Sequence, residues 1–353
     1  MSLPRSHLWP GVPLAILSAF LFGASTPLAK ALLGTVDPWL LAGLLYLGAG
    51  LGLAILHGAR GALRLAPPEA PLRRSDAPWL AGVVVSGGIV GPLLLMLGLA
   101  RTDAATASLL LNLESLATMA IAWLAFRENV DQRLLLGAFA ILGGALALSW
   151  QGRGVALDLG ALLIAGGCLA WGIDNNLTRR LSAADPVQIA MIKGLVAGAA
   201  NLMLALAQGA ALPGTGPILA AALVGFLGYG VSLVLFVLGL RHLGTARTGA
   251  YFSLAPFIGA LLALVLFREP LTPQLVGAGL LMAIGLYLHL AERHEHGHDH
   301  EALEHDHAHV HDEHHQHSHD GPVAEPHSHL HRHELLRHSH PHYPDLHHRH
   351  SHG

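Results

Sequence analysis

Long apolar runs separated by short polar turns fill the first 291 residues of the chain. A helix that crosses a lipid bilayer needs about 20 mostly apolar residues. The turns contain Pro, Gly, Asp or Arg, which punctuate helices. The pattern predicts an all-α membrane protein with ten transmembrane helices, which are spans 12–33, 38–57, 78–99, 104–126, 132–150, 158–178, 186–207, 216–240, 245–267 and 273–291.

The composition agrees with lipid as the surroundings of these spans. Hydrophobic residues make up 52% of the chain and charged residues 12%, whereas soluble domains carry about 25% charged residues. No basic stripe with interleaved aromatic residues suggests a nucleic-acid partner. Cys168 is the only cysteine, which excludes an intramolecular disulfide and a cysteine cluster for metal. We find no Walker phosphate loop and no paired catalytic constellation, so we expect neither an enzyme nor a required cofactor.

Lys and Arg predict the orientation, because cytoplasmic loops carry an excess of them. With the N-terminus in the cytoplasm, 12 basic residues from Arg5 to Arg293 lie at cytoplasmic ends. Four lie on the opposite side, namely Lys30, Arg101, Arg153 and Arg268. We therefore expect a multi-pass protein of the inner, or plasma, membrane with both termini cytoplasmic.

The chain also contains an internal repeat. Residues 98–128 align without a gap to residues 239–269, and together the alignments define two five-helix units, 12–150 and 158–291. The first span matches the sixth, so it is a retained helix and not a cleaved signal peptide. Because five is odd, the second unit enters the membrane upside down. Inverted repeats are common in secondary transporters, which bind substrate between the repeats near mid-membrane. A duplicated scaffold without transport is the alternative.

Several short motifs occur at equivalent places in the two units. They are Phe22-Gly23 and Trp171-Gly172, Phe126-Arg127-Glu128 and Phe267-Arg268-Glu269-Pro270, and Leu254-Ala255-Pro256, whose counterpart Leu113-Glu114-Ser115 lacks the proline and gains an acid. As a set they resemble the EamA family of the drug/metabolite transporter superfamily, over about residues 12–290. The resemblance implies ten helices and gradient-driven transport of small metabolites such as amino acids, often outward. It leaves homodimerisation open.

Three charged residues fall inside predicted spans, where charges are costly and usually face a cavity or a partner. Glu114, beside Asn112, lies near the middle of the fourth span, and it is a candidate for proton coupling or for binding a substrate amine. Asp174, with Asn175, lies in the sixth span, and Lys193 in the seventh. Lys193 either binds a substrate carboxylate or neutralises Glu114 or Asp174. Alternatively, Lys193 and Asp174 reach the membrane surface by snorkelling.

Other polar positions are compatible with a solute path but are less specific. Ser25-Thr26-Pro27 in the first span predicts either a broken helix at a substrate site or an ordinary kink, with Thr26 as the cavity candidate. Pro92 and Pro256 have the same ambiguity. Tyr229 in the eighth span either lines the cavity or packs against neighbouring helices without a role in binding. The Arg-Glu pairs at 127–128 and 268–269 are expected to close helix ends and to set topology.

The last 62 residues, 292–353, form a tail of a different composition. Four histidines precede residue 292, which leaves 23 of the 27 in the tail. With little apolar material to bury, the tail is predicted to be disordered without metal. Neutral imidazoles bind Zn, Ni, Co or Cu, and histidines at alternate positions can chelate one ion. The candidate ligands are His294, His296, His298, His300, His305, His307, His309, His311, His314, His315, His317 and His319. A pH sensor or a solubilising tail is the competing interpretation.

These features support three functional hypotheses. The first is a transporter of an amino acid or a related metabolite, in the outward direction, with a cytoplasmic metal-binding tail. The second is a transporter of divalent Ni, Co or Zn that uses the tail as acceptor. The third is a membrane-anchored metal reservoir or sensor without transport. The expected partners are lipid, a small solute and divalent metal ions. His57, His242 and His289 fall near helix ends, which weakens the second hypothesis.

Overall fold

The computed structural model describes ten stretches of the chain. They are residues 11–63, 72–126, 132–150, 158–181, 184–243, 245–290, 294–300, 304–309, 327–332 and 336–342. Predictions that concern Arg127, Glu128 and Arg153, and the tail histidines from His311 to His319, lie outside the described residues. The statements that follow concern the described residues.

Helical segments occupy each predicted span. The α-helices are α1 Gly11–Leu32, α2 Pro38–Leu63, α3 Ala77–Val83, α4 Gly91–Leu99, α5 Ala104–Leu110, α6 Leu113–Phe126, α7 Gln132–Leu148, α8 Leu159–Leu181, α9 Pro186–Ala207, α10 Thr215–Gly225, α11 Ser232–Leu243, α12 Thr245–Phe252, α13 Ala255–Phe267 and α14 Pro273–Leu290. Two π-helical segments, Val84–Val90 and Phe226–Val231, join α3 to α4 and α10 to α11. A one-turn 3-10 helix, Arg74–Asp76, precedes α3.

The described helices suit a membrane by their length and composition. Six helical stretches of the described residues are long and apolar enough to cross one, and the shorter apolar helices α7, α13 and α14 accompany them. Many large apolar side chains are exposed on the outer surface, such as Ile55, Leu124 and Val265 at more than 70%. Such exposure suits contact with lipid. The total of ten crossings stays a prediction.

The fourth and ninth spans are interrupted, whereas the sequence predicted one continuous helix for each. A turn at Leu111 and Asn112 separates α5 from α6, and a turn at Ser253 and Leu254 separates α12 from α13. The Asn112 amide donates to the Leu109 carbonyl at 2.8 Å, so the side chain competes with the helical backbone. In the second turn, Pro256 stands at the start of α13, where its missing N–H costs nothing.

The first span, in contrast, is continuous. α1 runs through Ser25, Thr26 and Pro27 without interruption. The Ser25 hydroxyl donates to the Phe22 carbonyl at 2.6 Å, which adds a side-chain bond one turn before the proline. Of the two alternatives that the sequence left open, the structure therefore does not show a broken helix, since one proline removes only a single backbone hydrogen bond.

The two repeats are interlocked through their first helices. α1, from the first repeat, packs against α11 and α13 of the second, while α8, from the second repeat, packs against α4 and α6 of the first. Equivalent helices also meet each other, as α2 meets α9 and α7 meets α14, and the fourth and ninth spans meet where α5 packs against α13. The first helix of each repeat thus packs against the other repeat, and the two exchanges are related by the same pseudo-symmetry.

The aromatic-glycine motif is explained by these exchanged contacts. The backbone of Ala255 on α13 lies directly against Gly23 on α1, and a Cβ at Gly23 would collide with the Ala255 carbonyl. Gly172 on α8 lies in the same way against Ala117 and Thr118 on α6. Small residues let membrane helices approach closely, so each glycine fixes one helix against the other repeat.

The turn between α4 and α5 is held by two opposite charges from distant parts of the chain. The Glu269 carboxylate accepts hydrogen bonds from the backbone N–H groups of Ala104 and Ala105, both at 2.9 Å. The Lys30 ammonium donates to the carbonyls of Leu99 and Thr102 at 2.6 and 2.9 Å. A negative charge at a helix N-terminus and a positive charge at a helix C-terminus both complement the helix dipole. Glu269 therefore closes a helix of the other repeat.

The described parts of the tail are four short strands. β1 His294–His300 pairs antiparallel with β4 Leu336–His342, and β2 Glu304–His309 pairs antiparallel with β3 His327–Arg332. Disorder of the tail in the absence of metal stays a prediction. Histidine at every second position gives the two-residue period of a strand, and a paired ladder satisfies backbone groups without needing an apolar core.

The close approach at Gly23 provides a test of the exchanged packing. We expect Gly23→Ala to lower the stability of the detergent-solubilised protein by about 1–3 kcal/mol, because the added methyl group overpacks the contact with Ala255. Gly277→Ala is the matched control, since a Cβ at that helical glycine meets nothing within 4 Å. Thermal unfolding followed by tryptophan fluorescence measures both. Equal melting temperatures for the two variants would contradict the packing described here.

Candidate functional site

A polar cluster joins α6 of the first repeat to α8 of the second. The Asn175 amide donates to the Glu114 carboxylate at 3.0 Å and to the Thr118 hydroxyl at 3.1 Å. The neighbouring Asn176 amide donates to the backbone carbonyls of Thr118 at 3.1 Å and Gly172 at 2.8 Å. The sequence predicted Glu114 and Asn175 as candidates for the substrate cavity, and the structure brings the two side chains into direct contact.

An ion pair lies next to this cluster. The Lys193 ammonium on α9 donates to the Asp174 carboxylate on α8, and the side chains are 17% and 6% exposed. Thr178 donates to the other Asp174 oxygen at 3.2 Å. Neither charged residue snorkels to a membrane surface, since each reaches the other. Of the partners proposed for Lys193, the structure selects Asp174.

The local charge is unbalanced. Two carboxylates, Glu114 and Asp174, and one ammonium, Lys193, lie on the neighbouring helices α6, α8 and α9, so the three groups carry a net charge of minus one when all are ionised. Glu114 stands in the first turn of α6, just after the interruption of the fourth span, where the helix dipole favours a carboxylate. The break in the helix thus creates the position that holds the charge.

The cluster has an accessible edge. Asn175 is exposed and Glu114 is half-buried, whereas Asp174 is buried. A carboxylate and an amide exposed to hydrocarbon would be very unfavourable, and such groups in membrane proteins face water-filled cavities or partners. The Glu114–Asn175 pair is therefore the part of the cluster that the described protein leaves uncovered.

Side chains from other helices donate hydrogen bonds to backbone carbonyls of the first π-helical segment, Val84–Val90. Hydrogen bonds in this segment span five residues, as Gly91 N–H donates to the Ser86 carbonyl. With that spacing Pro92 would face the Gly87 carbonyl, but proline has no N–H to donate. Instead the Gly87 carbonyl accepts from the Tyr46 hydroxyl at 2.8 Å and from the Trp171 indole at 3.0 Å.

The next carbonyl of this segment is also reached by a side chain. Asn201 on α9 directs its amide to the carbonyl of Gly88 at 3.3 Å. Side chains from α2, α8 and α9 thus converge on one interrupted helix. π-helical segments are rare and occur mostly at functional sites.

Aromatic rings connect the charged cluster to the second π-helical segment. Tyr229 lies in that segment, and its ring centroid is 5.5 Å from that of Tyr46 and 5.9 Å from that of Phe22. Phe22 also packs on Phe252, at the end of α12, with centroids 5.2 Å apart. The Tyr46 hydroxyl reaches the Gly87 carbonyl, and the Asp174 carboxylate lies directly against Gly87. Rings from both repeats therefore form one wall beside the charges.

The remaining predicted site residues lie elsewhere. Asn112 bonds within its own turn and contacts the Met282 sulfur at 3.9 Å, so its role is in the helix break. Thr26 is 2% exposed within α1. The structure therefore brings together Glu114, Asp174, Asn175 and Lys193, with Tyr229 in the adjacent aromatic wall.

Sequence reasoning missed Tyr46, Thr118 and Asn201, and it did not assign the bond made by Trp171. Tyr46 and Asn201 bond to backbone carbonyls of the π-helical segment, and no sequence signal for that segment was recognised. The aromatic position of Trp171 was noticed only as part of a motif. Among the described residues, no group of three His, Cys, Asp or Glu side chains lies close enough to hold a metal ion.

The ion pair predicts how the free energy of unfolding changes when one or both of its charges are removed. We expect Asp174→Asn to destabilise the protein by about 3–5 kcal/mol, because it leaves the Lys193 ammonium without its partner in a mostly buried position. The double variant Asp174→Asn/Lys193→Met removes both charges and should recover much of that loss. Denaturant unfolding in detergent measures both variants. A double variant less stable than Asp174→Asn would contradict the pairing.

Comparison with known proteins identifies the class of this fold. An uncharacterized transporter of Methanothermobacter thermautotrophicus is 29% identical over 297 residues, which cover 80% of this chain and 86% of that protein. The uncharacterized protein PA1977 of Pseudomonas aeruginosa is 35% identical over 196 residues, covering 55% of this chain and 67% of that protein. The uncharacterized transporter YyaM of Bacillus subtilis is 23% identical and covers 74% of this chain and 87% of that protein.

The fold and the family agree with these relatives. A protein of known crystal structure superposes with a TM-score of 0.59 at 20% identity, over 79% of this chain and 97% of that one, which shows a shared fold. The model of the EamA-like transporter family matches residues 9–150 and again residues 158–291. The two matches account for most of the chain, which therefore belongs to the EamA-like transporter family.

Proposed function

We propose that the protein is a secondary active transporter that moves an amino acid or a related small metabolite outward across the inner membrane. The observation that carries this proposal is the accessible Glu114–Asn175 edge of a charged cluster, at the seam between the repeats. A membrane transporter needs a polar site at mid-depth that water and solute can reach. The family membership supports transport in general, and the geometry of this cluster supports a charged or zwitterionic solute.

Each polar group has a distinct role in this proposal. Because Lys193 is engaged by Asp174, Glu114 carries the surplus negative charge and receives either the ammonium group of the solute or a proton. The Asn175 amide, already directed at Glu114, holds that carboxylate in place. The aromatic wall formed with Tyr46 and Tyr229 packs against the apolar part of the solute. The paired Asp174 and Lys193 keep α8 and α9 together as the site changes access.

The interlocked repeats suggest how access alternates. By sequence, α1 belongs to the first repeat and α8 to the second. Each of them packs mainly against helices of the other repeat. A rocking motion of one group of helices against the other would open the seam on one side as it closes on the other. We propose that the repeats are inverted and that both termini are cytoplasmic, as the distribution of Lys and Arg suggests.

We propose a second activity for the tail, the binding of divalent Zn, Ni, Co or Cu. It is supported by the concentration of histidines after residue 292 and by their alternate spacing in β1 to β4. Neutral imidazole is a good ligand for these ions. In this proposal the tail buffers or senses metal on the cytoplasmic side. Transfer of transported metal to the tail, or storage without transport, are the alternatives that the experiments below separate.

Transport assays on Glu114 test the first proposal. In proteoliposomes screened with radiolabelled amino acids, we expect Glu114→Gln to lower the initial rate of flux at least about tenfold, because a charge-assisted hydrogen bond contributes about 1.5–3 kcal/mol. Asp103→Asn is the matched control, since Asp103 is exposed and its side chain makes no capping bond. Glu114→Gln flux equal to that of the control would refute the role of Glu114.

Removal of the tail separates the two activities. We expect a chain that ends at residue 291 to retain amino-acid flux and to lose most of its bound zinc, as measured by equilibrium dialysis with the radioactive ion. Metal flux that depends on the tail would favour the metal-transport alternative. Metal binding by the full chain without flux of any tested solute would favour the reservoir.

A further inference from the structure

The orientation of the Asn175 amide is determined by two groups on α6. Its nitrogen lies 3.0 Å from a carboxylate oxygen of Glu114 and 3.1 Å from the Thr118 hydroxyl. That hydroxyl has a single hydrogen, which it donates to the backbone carbonyl of Glu114 at 2.8 Å. Thr118 can therefore only accept from Asn175, so the amide nitrogen and not the amide oxygen must face it. Both hydrogens of that nitrogen are used, one by Glu114 and one by Thr118.

Neighbouring contacts hold α8 against the same turn of α6. The Asn176 amide donates to the backbone carbonyl of Thr118 at 3.1 Å. One turn earlier on α8, a Cβ at Gly172 would overlap Ala117. The two helix backbones are thus fixed against each other at this level, and the Asn175 side chain approaches Glu114 and Thr118 from one direction.

Two oxygen atoms of the Glu114–Asn175 pair are left without a donor. Among the described residues, none donates a hydrogen bond to the second carboxylate oxygen of Glu114 or to Oδ1 of Asn175. The side chain of Asn175 is exposed and that of Glu114 is half-buried. A carboxylate oxygen and an amide oxygen can only accept hydrogen bonds. The uncovered edge of the pair therefore presents acceptors and no free donor.

A primary ammonium group is complementary to this edge. It carries a positive charge and three N–H donors, as the ammonium of lysine does. The Asn175 Oδ1 belongs to the same planar amide whose nitrogen contacts Glu114, so the two acceptors lie side by side. One ammonium can then donate to both of them, and the surplus negative charge of the cluster balances its own. Any nitrogen cation with at least two N–H bonds fits the same requirement.

The cluster offers much less to a carboxylate. Its basic residue, Lys193, is already paired with Asp174, and Asp174 lies directly against Gly87. A paired ammonium and carboxylate carry no net charge, whereas the unpaired carboxylate of Glu114 repels an anion. The carboxylate of an amino acid therefore contributes little to binding at this edge.

We propose that the solute is recognised through a nitrogen cation with at least two N–H donors, held by Glu114 and by Oδ1 of Asn175, and that Thr118 positions the amide for this contact. The inference rests on the proposed function and names its substrate class, which is primary amines with or without a carboxylate. Amino acids are then bound as amines. Quaternary ammonium ions have no N–H to donate, and acids without an amine have no positive charge, so both are excluded.

Competition in proteoliposomes tests this substrate class. The reference is the flux of whichever radiolabelled amino acid moves fastest, and the competitors share its side chain. For leucine they are isoamylamine, which lacks the carboxylate, isocaproate, which lacks the amine, and trimethylisoamylammonium, which lacks every N–H. We expect isoamylamine to inhibit about as well as unlabelled leucine. The other two should be weaker by about tenfold or more, since a hydrogen bond to a charged group contributes that much to affinity.

The outcomes distinguish this inference from the proposed function. Inhibition by the acid or by the trimethyl compound at the concentration that suffices for the amine would overturn the inference and leave amino-acid transport standing. If no amino acid is transported, radiolabelled isoamylamine is tested directly. Its flux would support the inference and overturn the amino-acid assignment, and its failure to move would overturn both.

Substitutions at Thr118 test the positioning role. The readout is the ratio of the inhibition constants of the trimethyl compound and the primary amine, which a general loss of flux does not change. We expect Thr118→Val to lower this ratio about threefold or more, because the amide can then turn its nitrogen outward. Thr118→Ser keeps the hydroxyl and should keep the ratio. Asn175→Ala removes the acceptor itself and should lower the ratio at least as much.

Thr35→Val is the matched control, since the hydroxyl of Thr35 donates to the Leu32 carbonyl at 3.2 Å in the exposed turn after α1. It removes a bond of the same kind outside the cluster and should leave the ratio unchanged. A ratio that Thr118→Val and Asn175→Ala both leave at the value of this control would overturn the recognition of N–H donors by Asn175. A ratio that only Asn175→Ala lowers would overturn the positioning role of Thr118.

Discussion

The lack of hydrogen-bond partners in hydrocarbon is the constraint on which this structure depends. A backbone carbonyl or amide that a broken helix leaves free must find a side chain inside the protein. Here the Gly87 carbonyl receives hydrogen bonds from Tyr46 and Trp171, and the N-terminus of α5 is closed by Glu269. Trp171 and Glu269 come from the second repeat and complete the first, so each interruption also fastens the two repeats together.

The charged cluster follows from the same constraint. Asp174 and Lys193 are mostly buried and satisfy each other, whereas Glu114 is held by one amide and keeps an accessible side. The ion pair is thus internally satisfied, and Glu114 is the charge for which we propose a role in transport. The break between α5 and α6 places Glu114 at a helix N-terminus, and the exchanged packing of α8 brings Asn175 to it. Local backbone irregularity and the exchange of helices together produce the site.

Sequence patterns predicted the spans well because apolar length is a direct requirement of the bilayer. They also identified Glu114, Asp174 and Lys193, since charges inside such spans are rare. They did not reveal the π-helical segments or the turns at 111–112 and 253–254, because those depend on side chains from distant helices. For the same reason the sequence left two alternatives open at Pro27, since a proline alone does not determine whether a helix stays continuous. In the tail, composition predicted disorder and metal binding, and both stay predictions.

Membership of a transporter family and the exchanged contacts both agree with one central claim, that the two repeats cross the membrane in opposite directions around a shared path. Thiol labelling of Asp131→Cys and Thr272→Cys, equivalent positions of the two repeats, tests it directly in a Cys168→Ser background. The account predicts that a membrane-impermeant thiol reagent labels Thr272→Cys in intact cells. The same reagent should label Asp131→Cys only after the cells are permeabilised. Labelling of both positions from the same side would contradict it.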